Sequence, residues 1–85
     1  MSKWPIHRRT ANGMNLYRIE AEDRFVELQR LGARWLVHRV SQAPYPERVR
    51  IMEMIDGHAG AFLPVDEAVF EAAFAEASAA ATGGR

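Results

Sequence analysis

Cysteine is absent from this 85-residue chain, and with it go disulfide staples, thiolate nucleophiles and thiolate metal ligands. A cysteine-free chain suits a reducing compartment, so the expected location is cytoplasmic. Lysine is nearly absent as well: Lys3 stands alone, and arginine carries the rest of the positive charge. No apolar run approaches the roughly 20 residues that a membrane-spanning helix needs, and no membrane association is expected. The segment from Met1 to Arg9 holds no apolar stretch of the kind a secretory signal requires. Serine is scarce, at Ser2, Ser41 and Ser78, and none sits in the tight strand-to-helix turn of a nucleophile elbow. Neither glycine-rich nucleotide loop, G-x-x-x-x-G-K-[ST] nor G-x-G-x-x-G, occurs. These absences leave little from which to build an enzyme, and they imply no cofactor.

The residues that are present divide the chain in two. Hydrophobic residues make up 48% of it, but 14 of them are alanine and seven of those fall between Ala72 and Ala81. The core that remains is thin, enough for one small domain over residues 1–81, with 82–85 expected as a disordered tail. The net charge of zero is also an average. Residues 1–50 hold ten basic and five acidic side chains, a balance of +5, whereas residues 51–85 hold one basic and six acidic, a balance of −5. Such asymmetry points either to a basic face for a partner or to an acidic helix lying on a basic sheet.

Asn12-Gly13 is the strongest turn signal, suited to a type I′ hairpin because glycine and asparagine tolerate positive φ. Centring the turn there opposes Arg9 with Leu16, Arg8 with Tyr17, His7 with Arg18 and Ile6 with Ile19. Strand side chains alternate between faces, so Trp4, Ile6, Arg8, Tyr17 and Ile19 share the face expected to be the core side. His7, Arg9 and Arg18 then form a basic stripe on the opposite, outward face. Residues 21–32 read either as a short helix ending at Gly32 or as a strand from Phe25 to Leu31, and the strand is preferred. A turn at Gly32-Ala33 leads it into the β-branched and aromatic segment Arg34–Val40, with Leu28 opposite Val37 and Glu27 opposite His38.

Ala43-Pro44-Tyr45-Pro46 returns the chain. Val49 to Ile55 alternates with apolar residues on both faces and is read as a strand, a helix starting at Pro46 being the alternative. Asp66 then caps a closing helix whose apolar stripe is Val69, Phe70, Ala73, Phe74 and Ala77, with Val65 placed to staple onto Phe70. The expected fold is α+β: a small antiparallel β-meander of about four or five strands with a C-terminal α-helix packed on one face.

Three functional readings follow. The leading one is a small non-catalytic protein–protein interaction module, homodimeric through the two-faced segment with Ile51, Met52 and Met54 at the contact; methionine packs adaptably at such surfaces. The second is nucleic-acid binding by His7, Arg9, Arg18 and Arg39, where arginine would hold phosphate and neighbouring aromatics would stack on bases. The third and weakest is a metal-dependent activity at Asp56-Gly57-His58, which places a carboxylate and an imidazole two residues apart, short of the three or four ligands zinc takes. Glu67 and Glu71 form a like-charged pair in the first turns of a helix, where acid complements the helix dipole without implying catalysis.

Overall fold

The computed structural model describes residues 3–83, with side chains through residue 80. The chain begins as a meander of four strands: β1 (Ile6–Thr10), β2 (Asn15–Ala21), β3 (Arg24–Leu31) and β4 (Arg34–Val40). Helix α1 (Tyr45–Asp56) follows, then a short 3-10 turn at His58–Gly60, strand β5 (Phe62–Pro64) and helix α2 (Glu67–Gly83). All strand pairs are antiparallel, and the order across the sheet is β4-β3-β2-β1-β5. The fold is an α+β domain, with the C-terminal helix packed on the sheet as expected and a second helix added on the other face. No helix among the described residues is long and apolar enough to cross a membrane.

Both hairpins have the expected registers. Ile6 faces Ile19, His7 faces Arg18, Arg8 faces Tyr17 and Arg9 faces Leu16; in the second, Leu28 faces Val37 and Glu27 faces His38. The first turn differs in type. Gly13 has φ of 75° and donates its N–H to Thr10 O at 2.9 Å, while Asn12 keeps a negative φ. Asn12 instead uses its side chain, whose Oδ1 accepts from Thr10 Oγ1 at 2.8 Å and from Met14 N–H at 2.9 Å. A side-chain-bridged turn with one left-handed glycine thus does the work expected of two positive-φ residues. At the second turn Gly32 has φ of 61° and Ala33 follows with negative φ, as a type II′ turn requires.

Residues 49–55 are helical, contrary to the strand reading. Pro46 sits in the first turn, where its missing N–H costs nothing, and Gly57 closes the helix at φ of 95° with its N–H on Glu53 O at 2.9 Å. Ile51, Met54 and Ile55 lie three and four residues apart and meet the sheet together. The helix thereby completes a cluster with Tyr17, Ile19 and Phe25, flanked by Trp4, Ile6, Val40 and Phe62. Helix α2 builds the other cluster, Phe70 and Ala73 against Leu16, Val26 and Leu28, with Val65 and Phe74 at its margin. Val69, expected in the stripe, is half exposed. Burying one side chain such as Ile19 or Phe70 is worth about 1.5–3 kcal/mol, so a sheet with both faces covered extracts far more from a small apolar inventory than a one-sided sheet could. Helix α2 continues through Thr82 to Gly83, where a tail was expected to start; Gly84 and Arg85 lie outside the described residues.

Candidate functional site

The expected outward basic stripe is instead the floor on which α2 lies. Alternation fixes which side chains share a face, and the short loop after β5 sends α2 across that face because Leu16, Val26 and Leu28 also point there. Arg18 is held on three sides: its Nε reaches Glu20 at 3.1 Å and its NH1 reaches Glu71 of α2 at 2.9 Å. Its guanidinium also stands 5.2 Å from the ring centres of both Phe70 and Phe74. His7 tilts against Phe70 at 5.5 Å, and its Nε2 is buried with no hydrogen-bond partner among the described residues. Arg9 turns to the carbonyls of Thr10 and Ala11 at 3.2 and 3.3 Å. Arg39 lies 5.4 Å from the Phe74 ring, though it remains exposed. The acidic helix therefore answers part of the basic sheet within the chain, and three of the four residues assigned to nucleic acid are engaged locally.

The residues expected at a dimer contact also separate. Ile51 and Met54 are fully buried against the chain's own sheet, and only Met52 remains exposed, on the outer side of α1. The reason is the helical period: the strand reading put Met52 and Met54 on one face, whereas a helix turns them apart. Asp56 and His58 flank the glycine that ends α1, and no group of three or more metal-capable His, Asp or Glu side chains occurs among the described residues.

Two arrangements were not anticipated. Arg8, the lone cation on the expected apolar face, donates from Nε to Met54 O and from NH2 to Ile55 O, both at 3.1 Å, and from NH1 to His7 O at 3.0 Å. It satisfies carbonyls in the last turn of α1, at the negative end of the helix dipole. A charge in an apolar row was the available signal. The second is Glu27, which is only 4% exposed. Its Oε2 accepts from Asn15 Nδ2 at 2.8 Å, from Tyr17 OH at 3.2 Å and from Gln29 Nε2 at 3.5 Å. Arg50 of α1 brings NH2 to 3.9 Å from that oxygen and donates to Tyr17 OH at 3.0 Å. Burial, reinforced by the Glu27 charge, pushes the Tyr17 hydroxyl above its ordinary range despite Arg50. Burial pulls the Arg50 guanidinium down, but Tyr17 and Glu27 outweigh it and leave it raised. Tyr17, Glu27 and His38 occupy one transverse row of the sheet. A buried carboxylate so fully hydrogen-bonded is a fastening between sheet and helix, since it spends its acceptor on groups of the fold.

One open feature is the β4 edge. Its seven residues form one margin of the sheet, whereas the other margin, β5, is three residues long and ends in Pro64. From Arg34 to Val40 only Trp35 and Val40 are half covered; Leu36 and Val37 are each 38% exposed, and neighbouring Leu31 is 55% exposed. A two-residue hairpin closes on a hydrogen-bonded pair, here Leu31 with Arg34. Arg34, Leu36, His38 and Val40 therefore direct their backbone groups to β3, and Trp35, Val37 and Arg39 direct theirs outward. Beside the strand runs a groove of about 280 Å³ lined by Arg34, Trp35, Leu36, Val37, Ala77 and Ala80. One face of the Trp35 ring is occupied by Arg30, 5.0 Å away. No protein-family model matches this chain, and neither a curated protein nor a solved structure matches it.

Proposed function

We propose that the chain is a non-catalytic association module that pairs with a second copy of itself through β4. One observation carries the reading: the sheet ends on a seven-residue strand that exposes Leu36 and Val37 and has Arg34, His38 and Arg39 as its only charge-bearing side chains. Proteins blunt such edges with proline, bulges, charged side chains, lysine above all, or very short strands, and β5 shows the short, proline-ended version on the opposite margin. Strand β4 has no proline and no lysine, and its register with β3 runs unbroken from Phe25–Val40 to Leu31–Arg34. Arginine and tryptophan, both present on β4, are also the side chains enriched at protein contacts.

Light scattering tests this directly. The wild-type chain at micromolar concentration is expected to have twice the monomer mass, and Val37→Lys is expected to be a folded monomer, its association weakened by about a hundredfold. A monomeric wild type at every accessible concentration overturns the proposal. Ionic strength separates it from nucleic-acid binding. Strand β4 carries Arg34, His38 and Arg39 and no acid, so two such strands repel weakly and added salt tightens the pair. A phosphate contact through the same arginines would weaken with salt.

A further inference from the structure

We infer that two chains pair antiparallel about a two-fold axis at Val37, and that the Arg39 side chain of each enters the other's groove between β4 and α2. The inference rests on the pairing reading above and specifies its register. In an antiparallel pair, residues that exchange both backbone bonds must direct those groups toward each other. On β4 the outward residues are Trp35, Val37 and Arg39, by the parity of the Leu31–Arg34 closure. A two-fold axis at Val37 pairs Val37 with itself and Trp35 with the partner's Arg39, reciprocally. All three outward residues are then satisfied, with about six backbone hydrogen bonds in all.

Shifting the axis makes the contact worse. An axis at Leu36 brings Ala33, a turn residue, opposite the partner's Arg39 and leaves fewer well-formed pairs. An axis midway between Leu36 and Val37 sets outward-directed Trp35 against the partner's His38, whose backbone groups are already given to β3, so no ladder closes. The Val37 axis places Arg34 opposite the partner's Val40 and Leu36 opposite the partner's His38, so no arginine faces another directly.

The side chains agree with the backbone. Trp35, Val37 and Arg39 all point to the α2 face, the side on which the groove lies. Arg30 already covers one face of Trp35. The partner's Arg39, directly opposite Trp35, brings its guanidinium to the ring from the other side, and its aliphatic stem lies along the apolar lining that Val37 and Ala77 supply. Arg39 in the single chain stays exposed over Phe74, and among the described residues no acidic side chain pairs with it, which leaves its guanidinium available for this contact.

The chain has no native cysteine, which makes cross-linking a clean measure of register. Leu36 and His38 of opposite chains form a non-hydrogen-bonded pair under the Val37 axis, the closest spacing that antiparallel strands offer. Mixing Leu36→Cys with His38→Cys chains under mild oxidation is expected to give a disulfide-linked heterodimer, while neither variant alone cross-links efficiently. Arg39→Ala is expected to weaken dimerisation about tenfold and Arg39→Lys by less. Efficient cross-linking of Leu36→Cys with itself, in a protein that dimerises, overturns this register and leaves β4 pairing standing. An Arg39→Ala chain that dimerises like wild type overturns the groove contact. A monomer by light scattering, with no cross-link in any mixture, overturns the pairing itself.

Discussion

The two faces of the sheet use the same residue types to opposite ends. On the α1 face, cations serve backbone and hydroxyl: Arg8 holds the last carbonyls of α1, and Arg50 reaches over Tyr17 toward the buried Glu27. On the α2 face, cations serve rings and a helix: Arg18 lies against Phe70 and Phe74 and pairs with Glu71, and Arg39 lies near Phe74. One face is fastened by directional hydrogen bonds at a polar centre, the other by apolar contact with charge spread over it. The difference shows how a chain of zero net charge divides its arginines: those beneath helices hold the domain together, and those on the β4 margin, Arg34 and Arg39, stay exposed.

Breaking the α2 face should cost most. Phe70→Ala removes a fully buried ring from the centre of its cluster, and such truncations cost about 3–5 kcal/mol. In a domain whose whole stability is on the order of 5–15 kcal/mol, the urea midpoint should fall to a fraction of its wild-type value, read by far-UV circular dichroism. The α1 face should yield less to a comparable insult. Arg50→Ala takes the cation from beside Glu27, but Arg50 is 45% exposed and 3.9 Å away. The 3–5 kcal/mol typical of breaking a buried pair therefore shrinks to about 1–2 kcal/mol. An Arg50→Ala loss as large as that of Phe70→Ala would erase the contrast between the faces.

The smallest effect belongs to alkaline pH. The folded-state pKa of Tyr17 is raised above its ordinary value near 10.0, so the unfolded chain releases this proton first. The hydroxyl's contribution to stability is whole below that value and is lost as pH rises through it toward the folded pKa. Urea midpoints followed upward from pH 9 should decline more steeply for wild type than for Tyr17→Phe. Equal slopes would mean that the polar centre of the α1 face does not sense burial.

Much of this was legible in the chain. Glycine at Gly13 and Gly32 punctuates segments whose alternation has one consistent register, so both hairpins followed from local pattern alone. Local pattern failed at residues 49–55, where two periods coexist: Val49, Ile51 and Ile55 suit a strand, while Ile51, Met54 and Ile55 suit a helix. The end signals, Pro46 and Gly57, decide between them, and the sheet needs a cover for Tyr17 and Ile19 that only the helix supplies. The basic stripe failed differently. Alternation told which side chains travel together but not that both faces would be covered. The Glu27 centre was invisible because Asn15, Tyr17, Gln29 and Arg50 arrive from three elements. The open edge was half legible, since Arg34–Val40 was evidently a strand, but its place at the margin depends on β5 joining β1 instead.

That joining of β5 to β1 has a kinetic consequence. Every other strand pairing links neighbours in sequence, across turns of a few residues, and hairpins of this kind form in about 1–10 μs. Pairing Thr10 with Phe62 closes a loop of about fifty residues around the whole meander and α1, and the entropy of that closure must be met before β5 or α2 returns any contact. The rate of folding should therefore be governed by the arrival of three residues, Phe62, Leu63 and Pro64, beside a hairpin that has long been waiting for them.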